Sequence, residues 1–164
     1  MNIFVIATTL QAGGGITIYE QFLSHLPEHM RQNKYWIFVN PMLPPVVMEG
    51  VTYISFPLQS KIKRILFEDK LLKAEVNKLG VKPNVVVSLQ NNGYKCFNTC
   101  KQIVYFHQSL PLYPGFYNPL KRNERYLFNY KYIFPHLVKR TWAKNTQFVV
   151  QTPVMKKRLA AYFN

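Results

Sequence analysis

The start of the chain combines a short apolar run, three consecutive glycines and a helical pattern, and this order constrains the fold more than any other feature. The run at residues 3–7 has no polar alternation, which is typical of a strand buried on both faces of a parallel sheet. After Gly13, Gly14 and Gly15, apolar residues recur at helical spacing over 19–26 and predict a helix that packs on that sheet. The glycines leave the first helical N–H groups open to a ligand. The loop is therefore a candidate cradle for an anionic or hydroxyl-rich group.

The residues after the glycines separate the known uses of such a loop. A phosphate-binding P-loop ends in Gly-Lys-Ser or Gly-Lys-Thr, but Gly15 is followed by Ile16 and Thr17, so that interpretation fails. A dinucleotide-binding loop has a third small residue where this chain has Ile18, and an acid closes its second strand where this chain has Asn40, so that interpretation is weak. A third possibility, a glycine turn that only joins strand to helix, stays open.

Length and charge limit the classes of protein that fit the sequence. The chain has 164 residues, of which 48% are hydrophobic, and this is enough for a single domain with a real core. Its formal net charge of +14 and its 15% of aromatic residues favour an anionic partner, which could be a nucleic acid, a membrane surface or a phosphorylated substrate. Composition does not choose among these three, and a basic solvated face over buried aromatic side chains is a fourth explanation.

The cysteines and the start of the chain bear on metal binding and location. Cys96 and Cys100 have no second Cys or His pair at zinc spacing, so we expect no metal site and two free thiols in a reducing compartment. No apolar run approaches the roughly 20 residues of a spanning helix, and the first run lacks the charged flank of a signal peptide. We therefore expect a cytoplasmic protein, either soluble or peripheral to the inner face of the membrane.

The alternation of strand and helix patterns predicts the fold class. Apolar runs bounded by Pro, Gly or Asn predict five more strands, at residues 35–39, 51–56, 84–88, 103–107 and 147–151. Helical patterns predict a helix over 60–79 with Ser60 as its N-cap, two helices within 120–144 parted at Pro135, and a last helix capped by Thr152. This order is typical of the α/β class, with a doubly wound, Rossmann-like parallel sheet flanked by helices.

Polar or glycine-rich features follow four of the predicted strands. They are the glycine loop, the turn at 90–93 with Asn91 and Asn92, His107, and the turn at Gln151 and Thr152. In an open α/β sheet the ligand crevice lies outside the carboxyl ends of the strands. We therefore predict that these residues line one binding crevice.

In their order along the chain, these motifs resemble the amino-terminal half of the retaining nucleotide-sugar glycosyltransferases of the GT-B type, the large group 1 or family 4 enzymes. The resemblance covers nearly the whole chain. It rests on the opening strand with its glycines, on Lys82-Pro-Asn-Val-Val-Val-Ser88, on Ile103-Val-Tyr-Phe-His107 followed by Pro111, and on Phe148-Val-Val-Gln-Thr152 before a helix with Lys156 and Lys157.

In that family two Rossmann-like lobes face each other; the first holds the acceptor and the second holds the sugar nucleotide. The resemblance implies that residues 1–164 are the first lobe and that the nucleotide-binding lobe, the partner of this one, is absent, so the chain alone should be inactive. It places Gly14 and Gly15 close to the donor phosphates and His107 beside the transferred sugar. The implied activity is retaining hexosyl transfer from a nucleotide-diphosphate sugar to a glycan or lipid-linked acceptor in cell-envelope polysaccharide synthesis, with no cofactor.

The chemistry of the predicted crevice agrees with this assignment. Helix N-terminal amides and a positioned imidazole can stabilise the charges that develop on the leaving phosphate and on the sugar ring. No Asp or Glu lies in the loops assigned to the crevice, so no general base can be named, and a two-carboxylate hydrolase is disfavoured. The resemblance implies that the leaving phosphate itself takes the acceptor proton. For His107, a strand-end histidine bonded only to backbone remains the alternative.

The stretch 121–144 mixes cations and aromatic side chains with a single acid, Glu124. Such a mixture can place aromatic rings at the level of lipid headgroups and cations against anionic lipid, so we expect contact with a membrane or another anion. An ordinary basic outer face, with the apolar residues turned to the core, is an equally open explanation. The candidate cations are Lys121, Arg122, Arg125, Lys131, Lys139 and Arg140.

Two other functions stay open from the sequence. A basic Rossmann-like nucleic-acid-binding module would explain the charge and the aromatic residues but not the features at the strand ends, and we expect no nucleic-acid partner. A nucleotide-dependent epimerase or dehydrogenase with a degenerate cofactor loop would explain the fold, and it predicts that this part of the chain binds NAD.

Overall fold

A computed structural model describes residues 1–11, 13–27, 32–43, 45–57 and 61–163, without the side chains of 61–67 and 163. Its strands are β1 (Asn2–Ala7), β2 (Lys34–Val39), β3 (Val51–Ser55), β4 (Val85–Ser88), β5 (Lys101–Phe106) and β6 (Thr146–Val150). They form one six-stranded sheet in the order β3-β2-β1-β4-β5-β6, and every pair is parallel. This order is that of a Rossmann-like sheet, which confirms the predicted fold class.

Helices connect the strands on both faces of the sheet. They are α1 (Gly14–His25), α2 (Lys61–Leu79), α3 (Arg125–Phe128), α4 (Phe134–Lys139) and α5 (Pro153–Phe163), with 3-10 turns at Lys95–Phe97 and Leu110–Leu112. Neighbouring strand residues point to opposite sides of the sheet, so each face builds its own core. On one face Val5 and Ala7 of β1 pack with Leu23 of α1, and on the other Phe4 packs with Leu72 of α2. At β1 the sheet is therefore covered by α1 on one side and by α2 on the other.

The region before β6 differs from the predicted pair of helices parted at Pro135. Helical backbone continues from α3 to α4 through a π-helical turn at Asn129–Ile133. Proline has no N–H to donate to the carbonyl four residues earlier, which here belongs to Lys131. The Tyr162 hydroxyl of α5 donates to that carbonyl at 3.5 Å. The wider turn and the neighbouring helix together accommodate the proline, which is why the helix continues where the sequence pattern predicted a break.

The predicted strands agree with the observed ones to within two residues at either end. His107, predicted as the last residue of the fifth strand, lies one position beyond β5. The Thr152 hydroxyl accepts the backbone amide of Met155 at 3.2 Å, which confirms its predicted role as the N-cap of α5. Ser60, the predicted N-cap of α2, lies outside the described residues.

Candidate functional site

The predicted crevice residues follow β1, β4, β5 and β6, whose carboxyl ends lie along one edge of the parallel sheet. Between β1 and β4 the direction in which strands are added to the sheet reverses, because β2 lies on one side of β1 and β4 on the other. Ligands of open α/β sheets bind in the crevice outside such a switch point. The loops that follow β1 and β4 therefore flank the switch point, and those that follow β5 and β6 lie farther out along the edge.

The glycine loop begins α1, and no side chain of the described residues caps the N-terminus of this helix. Gly13 has φ 60° and ψ −142°, a conformation essentially restricted to glycine, and its carbonyl accepts the amide of Ile16 at 3.0 Å. A Cβ on Gly15 would lie 3.1 Å from Leu10 Cδ2, whereas a Cβ on Gly14 would have no heavy atom within 4 Å. The turn requires glycine at 13, packing favours it at 15, and position 14 borders open space.

A buried group of polar side chains joins the ends of β1 and β4. The Thr8 hydroxyl donates to Glu68 Oε1 at 2.6 Å, and Gln90 Nε2 donates to the same oxygen at 3.2 Å. Gln90 Oε1 accepts the backbone amide of Thr9 at 3.1 Å and its hydroxyl at 2.7 Å, while Gln90 Nε2 also donates to the Tyr94 hydroxyl. We call these five residues the β1–β4 network. Its hydrogen bonds fix the two loops on either side of the switch point.

Glu68 is the member of this network that the sequence analysis missed. The crevice loops carry no acid, as predicted, but α2 brings the Glu68 carboxylate to the same edge, where it is only 4% exposed. A signal was present in the sequence: Glu68 precedes Leu72 and Val76 at intervals of four, and so belongs to the apolar stripe of α2. A charged residue on a buried helix face needs hydrogen-bond partners, and here Thr8 and Gln90 supply them.

His107 lies half-buried just beyond β5, and its ring is not part of a polar network. Its backbone amide donates to Asn91 Oδ1 at 2.9 Å, and the amide of Gln108 donates to the same oxygen at 3.1 Å. The imidazole lies beside the Tyr105 ring, with centroids 6.1 Å apart, and no described residue hydrogen-bonds it. Burial lowers the pKa of His107 and so favours the neutral ring, which has one donor and one acceptor nitrogen. Asn91 thus orients the turn that carries an imidazole still able to bond a ligand.

The other predicted crevice residues have different roles. Asn92 is half-buried, and Gln151 is exposed beyond β6. The Thr152 hydroxyl is engaged in capping α5. Gly93 lies against the end of α4, because a Cβ there would be 3.2 Å from the Thr141 carbonyl oxygen. Hydrogen bonds among the described residues connect Asn91 with His107, but they give no such link for Asn92 or Gln151.

The predicted basic contact residues divide into two groups. Lys131 is buried, and its ammonium donates to the carbonyl oxygens of Tyr113 and Gly115. The prediction that this lysine contacts a membrane or another anion at the surface is therefore wrong, because its charge is used in hydrogen bonds inside the protein. Lys121 forms an ion pair with Glu124 at 3.3 Å. The exposed members of the set are Lys121, Arg122, Arg125, Lys139 and Arg140.

The described residues also bear on the state of the two thiols, on metal binding and on membrane crossing. Cys96 and Cys100 are free and half-buried, and burial raises the pKa of both thiols. Within the described ranges, no three His, Cys, Asp or Glu side chains come together closely enough to hold a metal ion. None of the helices in those ranges combines the length and the apolar character needed to cross a bilayer.

A cavity of about 530 Å³ lies between α1 and the sheet, and its lining reaches Leu89 and Tyr105 near the carboxyl ends of β4 and β5. Its wall is apolar except for Gln21 and His25 of α1, and Val87 and Ile103 form part of its floor on β4 and β5. Among the described residues, no helix covers these two strands on the α1 face. The cavity is therefore a continuation of the α1 core and lacks the convergent polar groups of the crevice.

Comparison with known proteins does not identify a family for this chain. No family model matches the sequence, and no curated protein matches it. Among solved structures, the chain is similar to the Bordetella bronchiseptica enzyme WbmH in complex with NAD+, with 14% identity and a TM-score of 0.43 over 91% of this chain and 54% of that chain. The chain thus spans about half the length of that enzyme. With a TM-score this low, the Rossmann-like class rests on the strand order and helix placement described above.

Proposed function

We propose that this chain is the acceptor-side lobe of a retaining GT-B glycosyltransferase, which moves a hexose from a nucleotide-diphosphate sugar to a glycan or lipid-linked acceptor. The observation that carries the proposal is the presence of an open glycine loop and an imidazole without a described partner at one edge of the sheet. The order of the sequence motifs, which resembles that of the GT-B family, supports it. A second, nucleotide-binding lobe and a cytoplasmic site of action belong to the same proposal.

The chemistry of transfer gives each of these groups a role. The amides of Gly14 and Gly15 carry the partial positive charge of the α1 N-terminus, which stabilises negative charge on a leaving phosphate. A neutral His107 donates one hydrogen bond and accepts another, so it can orient a hydroxyl of the transferred sugar. Glu68 is buried and engaged by Thr8 and Gln90, so its role is to hold the loops rather than to move a proton.

A nucleotide-dependent epimerase or dehydrogenase is the second candidate, and the strand order favours it, since dinucleotide-binding sheets share that order. Two features of the described residues weigh against it. β1 ends at Ala7 and α1 begins only at Gly14, whereas a dinucleotide fingerprint places its first glycine in a tight turn between the strand and the helix. Asn40 follows β2, where an acid would bind the ribose, and its Oδ1 already accepts the amide of Met42 at 2.9 Å.

Titration with NAD+ separates the two candidates. Calorimetry of the 164-residue chain with NAD+ should give no binding heat if the chain is an acceptor lobe. Saturable binding that Gly14→Leu abolishes would favour the epimerase or dehydrogenase and contradict the transferase. Gly14 suits this test because a side chain there enters open space and leaves the packing of the loop intact.

Transfer itself is tested on the complete enzyme encoded by the reading frame that contains this chain, by following release of nucleoside diphosphate from a panel of sugar nucleotides. His107→Ala should lower kcat by about 10²–10³-fold, the usual effect of removing one donor that acts in the transition state, with a much smaller change in the KM for the acceptor. His136→Ala is the matched control, because His136 is exposed on α4. Turnover near the wild-type level in both His107→Ala and Gly14→Leu would show that the crevice is assigned incorrectly.

A further inference from the structure

A group of large apolar side chains projects into solvent from the connection between β5 and α3. The exposed fractions are 58% for Tyr113, 77% for Phe116, 86% for Leu120 and 57% for Tyr126. Isolated exposed apolar residues are common on soluble proteins, but several within one short segment mark an interaction surface. We call residues 113–126, which include the first two residues of α3, the β5–α3 loop.

The β5–α3 loop is tied to the body of the protein at several points. The Lys131 ammonium donates to the carbonyls of Tyr113 and Gly115 from inside. Glu124 Oε2 accepts the amide of Asn118 at 2.8 Å, and Arg158 Nη1 donates to the carbonyl of Leu112 at 3.4 Å. Because these hydrogen bonds hold the backbone, Phe116 and Leu120 are presented outward by an ordered loop rather than exposed by fraying of a chain end.

The charged residues of the loop indicate which kind of surface its exposed apolar side chains can bind. Lys121, Arg122 and Arg125 are exposed beside them, and Glu124 is the loop's acid. That acid is already engaged, since it accepts the Asn118 amide and pairs with Lys121 at 3.3 Å. Exposed apolar tips flanked by cations with little opposing charge complement a surface that is apolar inside and anionic at its face.

We propose that the β5–α3 loop docks on an anionic lipid bilayer, with Phe116 and Leu120 inserted among the headgroups and the cations against lipid phosphates. Leu120, the most exposed apolar residue of the loop, has no ring on which a base could stack, so the surface suits lipid better than single-stranded nucleic acid. The loop follows β5 and His107, so docking brings the crevice edge of the sheet toward the membrane. The proposal goes beyond the glycosyltransferase assignment and does not depend on it.

Vesicle sedimentation tests the docking with the 164-residue chain. Vesicles of phosphatidylcholine alone are compared with vesicles that also contain phosphatidylglycerol, at low and at physiological salt. The wild-type chain should pellet with the anionic vesicles, and less so as salt screens the cations. Phe116→Ser/Leu120→Ser should weaken this binding at least about tenfold, because two buried apolar side chains are lost. Arg122→Glu/Arg125→Glu should remove the preference for anionic over neutral vesicles.

The matched control is Met42→Ser/Val47→Ser, which removes two exposed apolar residues of the β2–β3 connection and should bind as the wild type does. Circular dichroism of each variant checks that it is folded. Equal pelleting with neutral and anionic vesicles, or equal loss of binding in the control and loop variants, would overturn the proposal. The proposal also fails if the chain binds a single-stranded oligonucleotide more tightly than anionic vesicles at physiological salt and the serine variant loses that binding.

Discussion

The β1–β4 network and His107 lie at the same edge of the sheet, but they differ in whether their side-chain polar atoms are hydrogen-bonded to other described residues. In the network, Glu68 and Gln90 are buried and exchange hydrogen bonds with Thr8, Thr9 and Tyr94. The imidazole beyond β5 is half-buried and has no hydrogen-bond partner among the described residues. Buried polar groups that satisfy one another stabilise a scaffold, whereas a polar group left open at the edge is available to a ligand. The contrast predicts that substitutions in the network change stability and that substitution of His107 changes function.

The largest effect is expected when Glu68 is removed. Glu68→Ala removes the buried carboxylate oxygen that accepts one hydrogen bond from the Thr8 hydroxyl and one from Gln90 Nε2, and each such loss costs about 1–3 kcal/mol. We therefore expect the free energy of unfolding to fall by about 2–5 kcal/mol, measured by urea denaturation followed by circular dichroism.

Two controls sharpen this first prediction. Glu75 lies on the same helix, but it is partly exposed and forms a surface ion pair with Lys78, so Glu75→Ala should change stability by less than about 1 kcal/mol. Glu68→Gln keeps an oxygen for the Thr8 hydroxyl and should fall between the two. If Glu68→Ala lowers the free energy of unfolding no more than Glu75→Ala does, the network does not stabilise the fold. The contrast between a stabilising network and a functional His107 would then be wrong.

Much of the fold could be predicted because its elements depend on local patterns. Continuous apolar runs predicted the parallel strands to within two residues, and Thr152 before Pro153 predicted the start of α5. The helix through Pro135 could not be predicted, because it depends on a π-helical turn and on a hydroxyl from Tyr162, which is distant in sequence. Local signals predict local structure, and contacts between distant segments override them.

The site was less predictable than the fold, since it depends on which side chains tertiary structure brings together. Placement of Asn91 and His107 at the carboxyl ends followed from the strand pattern, and their hydrogen-bonded turn agrees with it. Lys131 was predicted at the surface because it belongs to the stretch 121–144, which mixes cations with aromatic side chains, but the loop that wraps its ammonium was not visible in the sequence. Glu68 lies on a helix and not in a crevice loop, so the loop pattern does not reveal it, although its place on the apolar stripe of α2 is a usable signal.

An intermediate effect on stability is expected in the glycine loop. There, Gly13 is required by the backbone conformation, whereas the adjacent Gly14 borders open space. Gly13→Ala places a side chain at φ 60°, and this backbone strain should lower stability by about 1–2 kcal/mol. Gly14→Ala has neither a positive φ nor a neighbour within 4 Å of the new Cβ, so its stability should stay within about 0.5 kcal/mol of the wild type. Thermal unfolding of the two variants side by side measures the difference. Equal losses would show that position 14 is also part of the scaffold.

The smallest effect concerns the pH dependence of stability that His107 contributes. Burial lowers the pKa of this imidazole in the folded chain, while the unfolded chain keeps the ordinary value near 6.5. As pH falls below about 7, the unfolded state therefore takes up the proton first, and the native state loses stability until the lowered pKa is passed. In His107→Asn this contribution disappears, so the free energy of unfolding should fall less between pH 7 and pH 5 than in the wild type.

The sign of this change tests the comparison between the network and the histidine. If a carboxylate bonded the ring, the charged form would be favoured and the histidine would stabilise the fold as pH falls, so that His107→Asn would steepen the loss of stability instead of reducing it. His136→Asn on exposed α4 is the matched control for the replacement of a histidine by asparagine. Urea denaturation at several pH values, with the difference between each variant and the wild type plotted against pH, separates these outcomes because titration of the other groups cancels in that difference. A reduced slope in His107→Asn alone places the imidazole outside any charged network and leaves its nitrogens to a ligand.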